Sequence, residues 1–140
     1  MLTELIIKSF VFDWFKMLDN HVDVSDVVSV LSNDKLMMNF PEATYTSIDG
    51  FIEWYNKVTN CFFDEIHDLK MIDIVINCDE ATINLIVNWQ TKTWEPPAAK
   101  SIWMGYDCYQ KWIVTKANDK IVIKEYIVEK LVPMLGFPEL

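Results

Sequence analysis

Asp107 sits in the run Tyr106-Asp107-Cys108-Tyr109, an acid inside an aromatic stretch. If that stretch is a strand, two-residue alternation puts Trp103, Asp107 and Tyr109 on one face and Tyr106, Cys108, Gln110 and Trp112 on the other. An acid facing a cavity among aromatic rings is desolvated, which raises its pKa and lets it donate a hydrogen bond or pass on a proton. The alternative is an Asp on the outer face or paired with a Lys. Two histidines are the other groups able to move protons near neutral pH. His67, in Glu-Ile-His-Asp, stands where a strand begins, whereas His21 falls in a loop and is expected to be solvated. Cys61, Cys78 and Cys108 are odd in number and not closely spaced, which fits neither a disulfide framework nor a zinc site. Three reduced thiols in a cytoplasmic protein are expected. The chain has 3 Gly and no Gly-rich phosphate loop. Nothing implies a metal, flavin, nicotinamide or nucleotide, so no cofactor is expected.

These groups need elements to hold them. Thr3 can cap a first helix reaching about Asp19, with Leu5, Phe12, Phe15 and Leu18, and Trp14 beside them, as an apolar stripe. Ser25 can cap a short helix from Asp26 to Leu31. A short strand, Lys35 to Phe40, ends at Pro41. Ser47 or Asp49 starts a third helix running to about Cys61, with Phe51, Trp54, Tyr55 and Val58 on its apolar face. From Ile66 the period moves toward two. Strands are expected over Leu69–Ile76, Ala81–Gln90, Ile102–Thr115 and Ile121–Leu131, with turns at Asn77–Glu80 and Ala117–Asp119. The segment Trp94–Lys100 is a loop, a lid or an edge guard, and the tail from Val132 to Leu140 lies along the surface. Helices first and strands after argue for α+β. A four-strand meander buries one face together with the helix stripes only if it curls over the helices, and such a sheet leaves a pocket at its wide end.

The 140 residues suit one domain over 1–140, long enough to bury about two-thirds of the unfolded surface. The net charge of −9, without any Lys/Arg cluster, argues against a nucleic-acid partner and an anionic membrane surface. The start, MLTELIIKSF, lacks the pattern of a signal peptide, and no apolar run reaches membrane-spanning length. Aromatics make up 14%, with 6 Trp. Either they fill the core, or some line a cavity or a partner surface.

The run LDNHVDVSDVVSVLSNDKLMMNFPEATYTSIDGFIEWY resembles the first half of SnoaL-like domains of the nuclear transport factor two-like superfamily. A helix ends in Leu-Asp, a short helix ends before Asn-Asp, and a short strand leads through Phe-Pro to an aromatic-rich helix. IHDLKMIDIVINCDEATINLIVNWQ and the long hairpin continue the plan, so the resemblance covers roughly residues 3 to 131. It implies an α+β cystatin-like cone, a curved antiparallel sheet wrapped around three N-terminal helices with a central pocket. The superfamily holds isomerases, dehydratases, cyclases, epoxide hydrolases and transport adaptors, so the fold does not choose among them.

In the scytalone dehydratase and dehydrochlorinase type, an Asp ends the first helix and a His opens the strand after the third. Asp19 and His67 match those positions. The resemblance implies a carboxylate that orients an imidazole and raises its basicity, with Asp107 as an alternative acid near a strand Asp of steroid-isomerase-like members. Leu18 stands where the dehydratases carry a Tyr, their second His has no evident counterpart, and Met38-Asn39-Phe40-Pro41 lacks the isomerase base. The alternative is that Asp19 exits the helix into solvent and His67 is a polar residue at a strand start. On this fold Trp14, Phe15, Phe40, Tyr55, Trp89, Trp103 and Tyr109 surround the pocket. An apolar cyclic small molecule is the expected partner, in an isomerisation, dehydration or cyclisation. The rival is a non-catalytic binding or dimerisation module, a homodimer through an outer sheet face carrying Tyr106 and Trp112.

Overall fold

The computed structural model describes residues 1–134. Helix α1 spans Glu4–Asp19, and its N-cap Thr3 accepts from Ile6 N at 3.2 Å. It buries Ile7, Val11, Trp14, Phe15 and Leu18. Leu5 and Phe12, expected in that stripe, are 75% and 53% exposed. The apolar arc of α1 is wider than the surface it packs on, and contact with the sheet selects which part is covered. Helix α2 is Val24–Val28, capped by Asp23 rather than Ser25: Asp23 Oδ1 accepts from Ser25 N at 2.9 Å. Strands β1 (Met37–Asn39) and β2 (Thr44–Tyr45) form a small hairpin. Ser47 caps α3, Ile48–Cys61, through Gly50 N at 3.1 Å.

Four long strands follow: β3 (Phe62–Asn77), β4 (Glu80–Thr93), β5 (Ile102–Ala117) and β6 (Lys120–Pro133). They pair antiparallel in sequence order, and β1 adds parallel to β6 with Met38 opposite Tyr126. The result is a curved six-strand mixed sheet, ordered β2-β1-β6-β5-β4-β3, with the helices on its inner face. Asn118 and Asp119, both at positive φ, make the two-residue turn between β5 and β6, as right-twisted hairpins prefer. The course of the tail beyond Met134 lies outside the described residues.

β3 begins at Phe62, directly from α3, not at Leu69. Its alternation is broken by register shifts between Phe63 and Ile66 and between Leu69 and Met71, with Asp64 at φ 51°. Bulges interrupt a period of two, so the first half of this strand does not read as one.

The inner face of β5 carries Tyr106, Cys108, Gln110, Trp112 and Val114, all buried. Trp112 meets Trp14 at 5.9 Å and Tyr126 at 5.0 Å between ring centroids, the centre of an aromatic core. Tyr106 and Trp112 are therefore core residues and do not belong to an outer docking face. The outer face of the sheet bears Trp103, Asp107 and Tyr109 instead.

Candidate active site

Two residues of α1 and one of β3 make the centre of the site. Asp19 is the last residue of α1, and His67 lies on the inner face of β3 opposite Trp89. Asp19 Oδ2 accepts from the backbone N–H of His67 at 3.1 Å, and Oδ1 lies 2.6 Å from His67 Nδ1. An ionised carboxylate can only accept, so Nδ1 carries a proton, and in the neutral imidazole the lone pair is then on Nε2. The imidazole is near-parallel to Phe15, at 5.1 Å and 17°, and to Trp89, at 6.2 Å and 18°. Its side chain is 10% exposed.

A second imidazole–carboxylate pair adjoins it. Glu65, two residues before His67 on β3, receives the Trp89 indole N–H on Oε1 at 2.9 Å. Its Oε2 is hydrogen-bonded to His21 Nε2. His21 follows α1 with φ 47°, a left-handed turn whose backbone N–H donates to Leu18 O at 3.2 Å. That conformation closes the helix and turns the ring toward β3. His21 is thus tied to Glu65 and only partly exposed, contrary to the solvated loop residue expected.

These groups open on a cavity of about 150 Å³. Glu65, His67 and Trp89 line one wall, and Trp54, Tyr55 and Val58 of α3 another. Cys108, Gln110 and Tyr126 form the floor, with Phe40 at the rim. Phe40 and Trp54 stack at 4.0 Å, and Trp54 Nε1 donates to Glu42 at 3.0 Å. Tyr55 donates its hydroxyl to Val22 O at 2.6 Å. Burial raises the pKa of Tyr55, helped by the nearby Glu65 charge. Burial alone raises that of Tyr106 and is the main cause for Tyr126. Cys108 is pushed up to about 12 by burial, then by the Asp107 charge, so it presents a neutral thiol. Among the described residues no Lys lines the cavity, and the sequence contains no Arg. Among the described residues no cluster of His, Cys, Asp and Glu could hold a metal ion.

Of the expected ligand-binding residues, Phe40, Tyr55 and Trp89 line the cavity. Trp14 is wholly in the core, and Phe15 reaches the site only by stacking on His67. Trp103, Tyr109 and Asp107 point the other way. Asp107 accepts from Asn88 Nδ2 at 2.9 Å on the outer face, where it cannot reach a molecule in the cavity. The parity of the faces was legible, but which one turns inward is decided by the helices. Glu65 carries no periodic signal in the sequence, because it lies in the bulged start of β3, and its partner His21 stands in the connection between α1 and α2.

No protein-family model matches the chain, and a search of curated proteins finds no match. Solved structures do match. A scytalone dehydratase candidate from Novosphingobium aromaticivorans superposes with TM-score 0.75 at 15% identity, covering 95% of this chain and 93% of that one. A type 2 hexachlorocyclohexane dehydrochlorinase gives 0.74 at 12%, covering 96% and 90%. A protein of unknown function with a cystatin-like fold from Nostoc punctiforme gives 0.69 at 16%, covering 98% and 97%. The likeness is one of fold: the chain has the cystatin-like α+β fold that these structures share. Among the described residues no helix is long and apolar enough to cross a membrane.

Proposed function

We propose that this protein is a cofactor-free enzyme that moves protons on an apolar cyclic small molecule, in an isomerisation, dehydration or related elimination. The observation that carries this is the two-point grip of Asp19 on His67, which fixes both the ring and the backbone behind it. His67 Nε2 is then a base held in one tautomer on the wall of an apolar cavity. It can take a proton next to a carbonyl or beside a leaving group. Two of the structural neighbours, the dehydratase candidate and the dehydrochlorinase, bear names of eliminating enzymes, which supports this class without choosing the substrate. The cavity volume is close to that of an engineered apolar cavity that takes up benzene, which favours a one-ring or small two-ring substrate.

The test is a thermal-shift screen of small cyclic ketones, alcohols, halides and phenols, followed by turnover assays on the hits. A ligand at a hundred times its Kd adds about 2.7 kcal/mol of stability. Turnover that survives in His67→Gln would sink the proposal; a loss of about 10²- to 10⁴-fold in a folded variant supports it.

A second reading has its own observation. The outer sheet face exposes Ile66, Met71 and Val75 on β3 and Val132 on β6 at 58%, 46%, 60% and 40%. A second copy of the chain could cover these side chains in a homodimer, the module function in place of catalysis. Sedimentation of Met71→Glu and Val75→Glu against the unaltered protein tests it, with a monomer throughout counting against assembly.

A further inference from the structure

The two imidazole–carboxylate pairs at the cavity are arranged in opposite order. In the first, His67 lines the cavity and Asp19 stands behind it. In the second, Glu65 lines the cavity and His21 stands behind it. The residues facing the cavity are two apart on one strand, about 7 Å along its axis, so both face the same ligand from one wall. Glu65 has a side chain 9% exposed, whereas that of His21 is 26% exposed. The outer member of this pair reaches water and the inner member lines the cavity, the order a proton relay requires.

Neither carboxylate oxygen of Glu65 is an idle surface group. Trp89 holds Oε1 and His21 holds Oε2, and in its protonated form the carboxyl keeps one O–H donor beside its acceptor sites, which is the form that can give a proton to a ligand. Trp89 also stacks on His67, so one side chain sets the spacing between the two pairs.

We propose that Glu65 is a second catalytic residue, the general acid that protonates the leaving group while His67 acts as base, and that His21 is the relay that returns the proton from solvent. The proposal rests on the function proposed above. In the step, His67 Nε2 takes a proton from carbon and the C–H electron pair forms the new π bond. The bond to the leaving heteroatom breaks, that atom keeps the pair, and it takes a proton from the Glu65 carboxyl. His21 then passes a proton to Glu65 and regains one from water, while His67 releases its own. The sum is loss of the neutral leaving molecule, with no oxidant or reductant consumed.

A matched pair of probes tests this: 1,2-benzisoxazole and its 5-nitro derivative, both small aromatic bicycles. Loss of the ring C–H proton breaks their N–O bond and releases a cyanophenol. The nitro leaving group departs readily as an anion, whereas the unsubstituted one gains from a proton donor. Glu65→Gln should slow the unsubstituted probe at least about tenfold more than the nitro probe, and His21→Gln should act in the same direction. His67→Gln should abolish both rates. A Glu65→Gln variant that slows both probes equally, or neither, while His67→Gln abolishes both, overturns the role of Glu65 and leaves the base in place. Rates on both probes that do not depend on His67 overturn the proposed function and this role together. If Glu65→Gln fails to fold, His21→Gln reads the same leaving-group dependence with Glu65 intact, and equal slowing of the two probes there overturns the relay.

Discussion

Phe15 stacks on His67, with ring centroids 5.1 Å apart and planes 17° from parallel. Asp19, four residues further along α1, holds the same imidazole from its edge. Residues four apart share a helix face, so one face of α1 supplies both the ring that limits the tilt of His67 and the carboxylate that sets its tautomer. The position of the base is therefore fixed by how the last turns of α1 dock on β3.

Asp19 offers two acceptor oxygens to two donors of His67, the backbone N–H and Nδ1–H. Asparagine has one acceptor oxygen and an NH2 group. Asp19→Asn must leave one donor unpaired or force the ring into its other tautomer. We expect a loss of about 1–3 kcal/mol in urea unfolding. The nitrogen chemical shifts of His67 should also show loss of the pure Nδ1–H form. An unchanged tautomer together with unchanged stability would mean that the carboxylate does not orient the ring.

The three thiols should divide by burial. Cys61 and Cys78 are exposed and Cys108 is buried with its pKa pushed up to about 12. A thiol reagent at pH 8 should modify Cys61 and Cys78 at once in the native protein and reach Cys108 only after unfolding. Fast modification of all three would show that the cavity floor opens on the time scale of the assay.

The same burial gives the fold an alkaline limit. The Cys108 pKa is raised in the folded chain, so the unfolded state loses its proton first as pH rises. The stability that Cys108 contributes is complete below the ordinary thiol pKa, near 9, and is lost as pH climbs from there toward about 12. At its steepest, one group lowers stability by about 1.4 kcal/mol per pH unit. Tyr55, Tyr106 and Tyr126, all raised, add to the slope in the same direction at higher pH. Chemical denaturation at pH 8, 9 and 10 should show the fall, and Cys108→Ala should flatten it. An identical slope in that variant would assign the effect to the tyrosines.

The order of helices and strands could be read from the sequence because capping and periodicity are local: Thr3, Ser47 and the Asn118-Asp119 turn all act where they stand. The Asp19–His67 pairing came from the resemblance, which implies an Asp at the end of the first helix and a His on the strand after the third, and not from any local pattern. What could not be read depends on distant chain. Strand alternation groups Trp103, Asp107 and Tyr109 without saying whether they face helix or solvent, and only the docking of α1 settles that. The bulges of β3 hid Glu65, and the left-handed turn at His21 brings a residue of the α1–α2 connection onto a strand more than forty positions away.

That facing can be measured by its energetics. Trp112 is completely buried against Trp14, Phe15 and Tyr126 and donates its indole N–H to Gln110 Oε1 at 2.9 Å. Trp103, nine residues earlier on the same strand, is 36% exposed on the opposite face. Trp112→Ala removes a large core side chain and an internal hydrogen bond, and should cost about 3–5 kcal/mol, enough to unfold a marginal domain. Trp112→Glu should do worse, as a folding defect rather than a loss of assembly. Trp103→Ala should cost about 1 kcal/mol or less, because it leaves no cavity in the core. Urea unfolding of the two alanine variants decides between the faces, and equal costs would mean that the inner and outer sides of β5 are assigned the wrong way round.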